Sequence, residues 1–160
     1  MHDMNYVWRD YNPNTMGYIE KWLDEFAVKS TGLDEGFQNF YEYWANEDGF
    51  VVGENFWSKV VLENDKPFAV IAFCLHESKI IIMEIVVEPE KRGQGSGSKL
   101  LKELLENGEI IGFTIHKSEA VIFPSNIASQ KSFENAGFLY HYSHEDGDAL
   151  YYVYESGAVQ

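Results

Sequence analysis

The 160-residue sequence contains a single cysteine, Cys74, so it cannot form an internal disulfide. This cysteine lies within an apolar stretch, where a buried structural thiol is the favoured interpretation. The longest apolar run, residues 68–75, is far too short to cross a bilayer, which takes about 20 residues. The first residues lack the basic and apolar regions of a secretion signal. We therefore expect a cytoplasmic protein that has no membrane partner.

Basic residues are also scarce, because 12 lysines and arginines stand against 26 aspartates and glutamates, which gives a net charge of −14. A nucleic-acid-binding protein needs a basic surface to neutralise phosphates, so this balance argues against that class. An acidic surface suits a cationic partner. Four of the basic residues fall within residues 91–102, and this concentration predicts a local site for an anion.

Apolar and aromatic residues are abundant, at 45% and 16% of the chain, and they predict a packed core. No repeat or linker divides the sequence, so we expect a single domain over residues 1–160. Residues 68–75 and 80–87 are apolar on both faces, so they should form central strands covered by helices on each side. The predicted strands cover residues 6–11, 57–62, 68–75, 79–88, 119–123, 138–142 and 150–154, with 50–52 as a strand or loop. The predicted helices cover residues 16–29, 34–45 and 97–111, and a fourth runs from a cap at Ser125 or Asn126 to about Asn135.

The strongest local pattern is the glycine-rich segment over residues 87–98, VEPEKRGQGSGS, which joins a buried strand to an amphipathic helix. Glycines allow close approach of the backbone to a ligand and positive φ angles. The amides at a helix N-terminus favour a phosphate. The segment therefore predicts an anion site, with charge added by Lys91 and Arg92. It fits neither a dinucleotide fingerprint, because Leu100 stands where glycine is required, nor a P-loop, because Ser98 precedes Lys99.

Two motifs in this sequence resemble those of the GNAT N-acetyltransferase superfamily. The segment Arg92-Gly93-Gln94-Gly95-Ser96-Gly97 is similar to its R/Q-x-x-G-x-G/A motif. Downstream, the segment Asn126-Ile127-Ala128-Ser129, followed by Phe133 and Ala136-Gly137-Phe138, resembles the N-x-x-A/S … G-F helix that closes the family's cofactor site. The resemblance implies a GNAT-like α/β fold with a mixed, mostly antiparallel sheet of six to seven strands, flanked on both faces by about four helices. It also implies transfer of acetyl from acetyl-CoA to a primary amine, without a metal.

The resemblance implies a position for each part of the cofactor. Backbone amides over residues 92–98 would hold the pyrophosphate, and they belong to Arg92, Gly93, Gln94, Gly95, Ser96, Gly97 and Ser98. Backbone groups of Ile85, Val86 and Val87 would pair with the pantetheine arm where two parallel strands separate, and an amide near Val86 or Val87 would stabilise the oxyanion. From the other side, Asn126 would bond to the arm, with Ser129 and Phe133 on the same helix.

Glu84 is the candidate base that removes a proton from the attacking amine. It is the only charged residue in residues 80–87, and a lone carboxylate in an apolar strand is costly unless it is paired or functional. Burial would raise its pKa towards a useful value. The competing interpretation is a carboxylate paired with a neighbour such as Lys59 or a backbone amide.

The sequence departs from the family pattern at Phe133, where a tyrosine often protonates the departing thiolate. Phenylalanine has no such proton, so Ser129, Ser132 and Tyr140 become candidate acids. A thiolate is also a tolerable leaving group near neutral pH, so the acid can be dispensable. A separate group of residues, His141, His144 and the acidic residues at 145–148, reads as a hairpin turn, and we assign no metal site to it.

Three functions remain after these observations. The leading hypothesis is N-acetylation of a small-molecule or peptide amine, with a cationic amine favoured by the acidic surface, in a monomer or homodimer. The alternative is a catalytically weak or inactive coenzyme A-binding sensor or interaction protein, which Phe133 motivates. An acetyltransferase acting on aminoacyl-tRNA is disfavoured by the net charge of −14.

Overall fold

The structure is a computed structural model, and it describes residues 6–156. Both ends of the expected 1–160 domain lie outside this range, and so do the first five residues, on which the expectation about a secretion signal rests. Seven strands form one sheet in the order β1-β2-β3-β4-β5-β7-β6. The strands are β1 (Val7–Asp10), β2 (Phe56–Glu63), β3 (Lys66–His76), β4 (Lys79–Val87), β5 (Lys117–Ile122), β6 (Leu139–Ser143) and β7 (Leu150–Glu155). The α-helices are α1 (Glu25–Thr31), α2 (Phe37–Ala45), α3 (Ser96–Glu106) and α4 (Ile127–Asn135).

The predicted mixed α/β fold is confirmed. Every neighbouring pair of strands is antiparallel except β4 and β5, which are parallel. The predicted number of strands and the four helices are present within residues 6–156. No helix in this part of the chain has both the length and the apolar character that a membrane span requires.

Each face of the sheet carries its own hydrophobic core. On one face, α3 and α4 bury residues such as Leu100, Leu104 and Phe133 against the sheet. On the other face, residues before and within α2, such as Trp22 and Phe37, pack on β2 and β3. Residues 68–74 of β3 are buried throughout, which confirms the prediction of a central strand covered on both sides.

Local hydrogen bonding ends the helices at different places from those predicted. Residues 16–29 are not one helix, because Asp24 accepts a hydrogen bond from the Ala27 amide at 2.9 Å and starts α1 anew after a 3-10 turn over Gly17–Trp22. Helix α3 ends at Glu106 rather than at 111. At the following Gly108, a Cβ would meet the carbonyl oxygen of Phe113 at 2.5 Å. Residues 50–52 form no strand apart from a bridge between Val52 and Phe56.

The feature that positions the functional site is a widening between β4 and β5. The two strands pair only from Ile80 to Ile82, against Ser118 to Ala120. On the β3 side, Ala72 pairs with Glu84 while Phe73 pairs with Ile82. Met83 is therefore an extra residue, which is a β-bulge, and a bulge bends its strand. The end of β4 thus turns away from β5.

Candidate active site

A cleft of about 620 Å³ opens where β4 and β5 separate. Residues 82–87 of β4 line one side, and the start of α3 and the length of α4 line another. Beyond Ile82, the edge of β4 that faces β5 makes no ladder pairs with that strand. Unpaired strand backbone at an open edge can bond to an extended ligand. The cleft therefore offers a ligand a strand to pair with, as well as a helix N-terminus.

The glycine-rich loop presents backbone amides to the cleft. Gly93 and Gly95 adopt φ angles of 75° and 79°, which other residues rarely adopt. The first hydrogen bond of α3 runs from the Lys99 amide to the Gly95 carbonyl. The amides of residues 96–98 therefore have no acceptor within the helix, and these residues line the cleft. Three such amides at a helix N-terminus form a site for an anion.

Gly97 allows α3 and α4 to approach each other at the cleft. A Cβ at this position would lie 3.1 Å from Oγ of Ser132 on α4. A side chain here would therefore require Ser132 or its helix to shift by a few tenths of an ångström. The glycine requirement at residue 97 is one of space, while at Gly93 and Gly95 it is one of backbone conformation.

The basic side chains of the loop are already paired within the protein, which corrects the expectation that they add free charge to the anion site. Arg92 bonds to both carboxylate oxygens of Asp24 and to the carbonyl of Trp22. Lys91 donates to Glu63 at 2.5 Å. The groups that the loop leaves unpaired for an anion are therefore backbone amides, and its two cations join the loop to Glu63, Asp24 and Trp22.

Helix α4 closes the cleft, as the second motif predicts. Asn126 caps the helix, because its Oδ1 accepts a hydrogen bond from the Ser129 amide at 3.1 Å. Both residues line the cleft, as do Ser132 and Phe133. Phe133 is buried and its ring packs edge-on against Phe138, with centroids 4.9 Å apart. Serine hydroxyls are thus the only side-chain O–H groups that described residues of α4 contribute to the cleft lining.

Glu84 lies at the bulge in β4 and lines the cleft. Burial raises the pKa of its carboxyl group to about 8. The proposed pairing with Lys59 is wrong, since Lys59 bonds to Asp10 at 2.6 Å. Among residues 6–156, no residue forms a hydrogen bond or ion pair with the Glu84 carboxyl. The group is therefore a proton acceptor that is free to interact with a ligand.

Most of the predicted site residues come together in the cleft, but two do not. Tyr140 lies on edge strand β6, outside the cleft, and its hydroxyl contacts Ser143 Oγ at 2.5 Å. Gln94 bonds to the carbonyl of Glu90 and also lies outside the lining. The predicted residues that line the cleft are Glu84, Ile85, Val86, Val87, Arg92, Gly93, Gly95, Ser96, Gly97, Ser98, Asn126, Ser129 and Phe133.

The predicted site residues include none from α1, which forms one wall of the cleft with Phe26, Ala27, Ser30 and Thr31. They also include none of the lining residues 120–123 on the β5 side, and they omit Lys131 on α4. The short amphipathic pattern of α1 gave no indication of which element it packs against. Arg92, 68 residues from Asp24 in sequence, brings the start of this helix to the glycine-rich loop through its ion pair with Asp24 and its contact with the ring of Phe26.

At the tip of the β6–β7 hairpin, His144, Asp146 and Asp148 lie close together and are exposed to solvent. His144 Nδ1 is 3.3 Å from Asp148 Oδ1. This arrangement fits the turn interpretation of the segment.

Comparisons with known proteins agree with this fold. The model of the acetyltransferase (GNAT) family matches residues 7–138. No curated protein matches the chain.

Among solved structures, the aminoglycoside acetyltransferase AAC(6')-Ib in complex with coenzyme A and kanamycin is similar, with a TM-score of 0.72, 18% identity, and 94% of each chain covered. A chimera of the spermidine N-acetyltransferase SpeG from Vibrio cholerae and hSSAT has a TM-score of 0.71 and 16% identity, and covers 95% of this chain and 96% of its own. The N-acetyltransferase PseH of Campylobacter jejuni has a TM-score of 0.66 and 16% identity, over 96% and 100% of the two chains.

Proposed function

The chain belongs to the GNAT family of acetyltransferases, and we propose that it is an acetyl-CoA-dependent N-acetyltransferase that modifies a primary amine of a small molecule or peptide. The observation that carries the proposal is that one cleft is lined both by the N-terminus of α3, with its unpaired amides, and by the carboxyl group of Glu84. The first suits the cofactor and the second suits the acceptor.

The residues of the cleft fit coenzyme A. Backbone amides of residues 96–98 would bind the pyrophosphate, because they have no acceptor within α3. The open edge of β4 at residues 85–87 would pair with the amides of the pantetheine arm. Asn126 lines the opposite wall, at the start of α4. Bound acetyl-CoA would supply an acetyl thioester that an amine can attack.

Glu84 would take the proton from the amine. An ammonium nitrogen has no lone pair, so it must lose a proton before it can attack. The pKa of about 8 places Glu84 near the range in which it can both accept and release a proton. A cationic amine beside the carboxyl would also favour its ionised form. The carboxyl group could therefore bind the acceptor and then deprotonate it.

A departing thiolate has no dedicated acid in this proposal. Phe133 cannot donate a proton, and Tyr140 lies outside the cleft. Ser129 and Ser132 line the cleft, but a serine hydroxyl is a weak acid. A thiolate is stable enough near neutral pH to leave unprotonated or to take a proton from water.

Charge supports a cationic acceptor. Residues 1–56, which include both helices on the Glu84 face of the sheet, contain 11 acidic and three basic residues. An acidic surface raises the local concentration of cations. Two of the similar structures are an aminoglycoside acetyltransferase bound to kanamycin and a spermidine N-acetyltransferase, and both of these substrates are amines.

The proposal is tested by incubating the protein with acetyl-CoA and a panel of amines that includes polyamines, aminoglycosides and peptides, while free thiol is measured. We expect thiol release that depends on one class of amine, together with an acetylated product in mass spectrometry. Glu84→Gln should bind coenzyme A as the wild type does and lose most turnover. Coenzyme A binding without thiol release for any amine would contradict the proposal.

The absence of an acid at Phe133 favours one alternative, a coenzyme A-binding sensor that has lost catalysis. This alternative predicts that Glu84→Gln changes neither coenzyme A binding nor any cellular phenotype. A loss of turnover on this substitution eliminates it.

A further inference from the structure

Ser58 lies in the same row of the sheet as Glu84. On β2, Ser58 pairs with Ala72 of β3, and Ala72 pairs with Glu84 of β4. Residues that pair directly across strands carry their side chains on the same face of the sheet. Neighbouring strands are about 5 Å apart, so the backbones of Ser58 and Glu84 are about 10 Å apart. The only side chain between them in this row is the methyl group of Ala72.

The hydroxyl of Ser58 is the one fully buried side-chain nitrogen or oxygen in residues 6–156 that has no hydrogen-bond partner. Ser58 is only 4% exposed. A buried hydroxyl without a partner costs about 1–3 kcal/mol, and protein interiors commonly satisfy such groups with a bound water. The carboxyl group of Glu84, on the other side of Ala72, also has no partner among the described residues.

We propose that Ser58 is a positioning residue for Glu84, acting through a buried water held between the serine hydroxyl and the carboxyl group above Ala72. This inference rests on the proposed function, because it takes Glu84 as the base. The water donates one hydrogen bond to the carboxylate and accepts another from the hydroxyl group of Ser58. The bond directs the carboxyl and favours its ionised form, which is the form that accepts a proton from the amine.

Other titratable groups on this face have little influence on Glu84. Tyr11, Tyr18 and Tyr41 pack on the same core, and burial is the first cause that raises the pKa of each hydroxyl, to about 12 for Tyr11. They are therefore neutral over the working pH range. Among the charged groups of the neighbouring α1, Asp24 pairs with Arg92, and Glu25 pairs with Lys29. On β2, Lys59 pairs with Asp10. The raised pKa of Glu84 has burial as its only cause.

The test compares Ser58→Ala, which removes the hydroxyl, with Ser58→Thr, which keeps it. Ser118→Ala is the matched control, since Ser118 is also fully buried in a strand but its hydroxyl donates to the Ile80 carbonyl at 2.8 Å. The first measurement is the pKa of Glu84 in the ligand-free protein, from carboxyl NMR with the signal assigned through Glu84→Gln. We expect this pKa to rise by about half a unit to one unit in Ser58→Ala. It should stay near the wild-type value in Ser58→Thr and Ser118→Ala.

The second measurement is the pH profile of acetyl transfer. In Ser58→Ala, kcat should fall about threefold to tenfold with an unchanged KM for acetyl-CoA, and the acidic limb of kcat/KM should move up with the pKa. Adding Ser58→Ala to Glu84→Gln should cause no further loss. An unchanged pKa and pH profile in Ser58→Ala, or equal changes in Ser118→Ala, would overturn the inference. If instead Glu84→Gln transfers acetyl at the wild-type rate, it is the proposed role of Glu84 that fails.

Discussion

Arg92 Nη1 lies 2.8 Å and 3.1 Å from the two carboxylate oxygens of Asp24, so the glycine-rich loop is tied to the first turn of α1. The same guanidinium donates to the carbonyls of Trp22 and Val87 and packs over the ring of Phe26. One side chain thus joins the end of β4, the loop and the helix that forms the missed wall. In the proposed function, this pair connects the phosphate end of the cleft to the wall opposite α4.

We predict that Asp24→Asn weakens acetyl-CoA binding about threefold to tenfold, because the substitution removes the charge that holds Arg92. This loss of affinity corresponds to about 1 kcal/mol, as expected for a partly exposed ion pair. Asparagine keeps an acceptor for the Ala27 amide, so α1 should remain capped. The bond to Arg92 holds the pKa of Asp24 below its ordinary value. The stabilisation is therefore present above the ordinary pKa of aspartate and is lost as the pH falls through the lowered one.

Isothermal titration calorimetry and thermal unfolding at several pH values check this prediction. Glu25→Gln is the matched control, because it breaks the exposed pair with Lys29 on the same helix. It should leave binding unchanged. Wild-type affinity in Asp24→Asn would contradict the role of the pair.

We predict that activity rises with pH through about 8 and that stability falls over part of the same range. The base must be ionised to act, and burial raises the pKa of Glu84 from 4.5 to about 8. The folded protein therefore keeps a proton that the unfolded chain releases, so stability declines as the pH rises from about 4.5 to about 8. In Glu84→Gln, this decline should disappear and the free energy of unfolding should exceed that of the wild type at pH 8. Denaturant unfolding at several pH values in this range measures the free energy of unfolding of both proteins. Parallel pH dependences for wild type and Glu84→Gln would contradict the prediction.

We predict that two glycine substitutions destabilise the protein to a similar extent but differ in their effect on coenzyme A binding. Gly95→Ala and Gly112→Ala both place alanine at a positive φ, 79° and 87°, with no atom near the added methyl group. Each should cost about 1–2 kcal/mol of stability. Only Gly95→Ala should also weaken coenzyme A binding, because Gly112 lies outside the cleft. Equal affinity of the two variants for coenzyme A would contradict the proposal that the glycine-rich loop binds the cofactor.

We predict that Gly97→Val weakens coenzyme A binding by forcing α3 away from α4. The added side chain begins 3.1 Å from Ser132 Oγ, and its further methyl groups enter the same narrow space. The companion change Ser132→Gly should restore part of the binding by making room for the valine. Calorimetric titration of the single and double variants measures this, and the absence of any rescue would mean that another contact limits the affinity.

We predict that Phe133→Tyr raises kcat with little change in the KM for acetyl-CoA, since it returns a proton donor to the cleft-lining helix. Stability should change little, because the aromatic ring and its packing on Phe138 are kept. Pre-steady-state thiol release separates chemistry from product release. If kcat stays constant and Ser129→Ala or Ser132→Ala lowers it, a serine supplies the proton instead.

The parts of the site that the sequence predicted well are those formed by neighbouring residues. The turn from β4 into α3 needs positive φ angles at Gly93 and Gly95, and Asn126 is a strong helix cap, so both motifs follow from local chemistry. The apolar pattern of residues 68–75 likewise predicted the central strand β3.

What the sequence did not predict depends on contacts between distant residues. The side chain of Arg92 bonds to the start of α1 rather than facing an anion, and nothing near either residue in sequence indicates this pairing. The bulge at Met83 depends on the register between β3 and β4. The row from Ser58 to Glu84 depends on two such registers, which a single sequence does not specify.

The three-residue pairing of β4 with β5 also bears on how the protein unfolds. Within residues 6–156, it is the only ladder that joins the antiparallel strands β1–β4 to the group β5, β7 and β6. Contacts between α3 and α4 reinforce the junction, and the proposed ligand would lie across it. Amide hydrogen exchange in the free protein should therefore show the last three strands opening as a unit before the first four. Coenzyme A should slow that partial opening, as any ligand does that binds only the closed form.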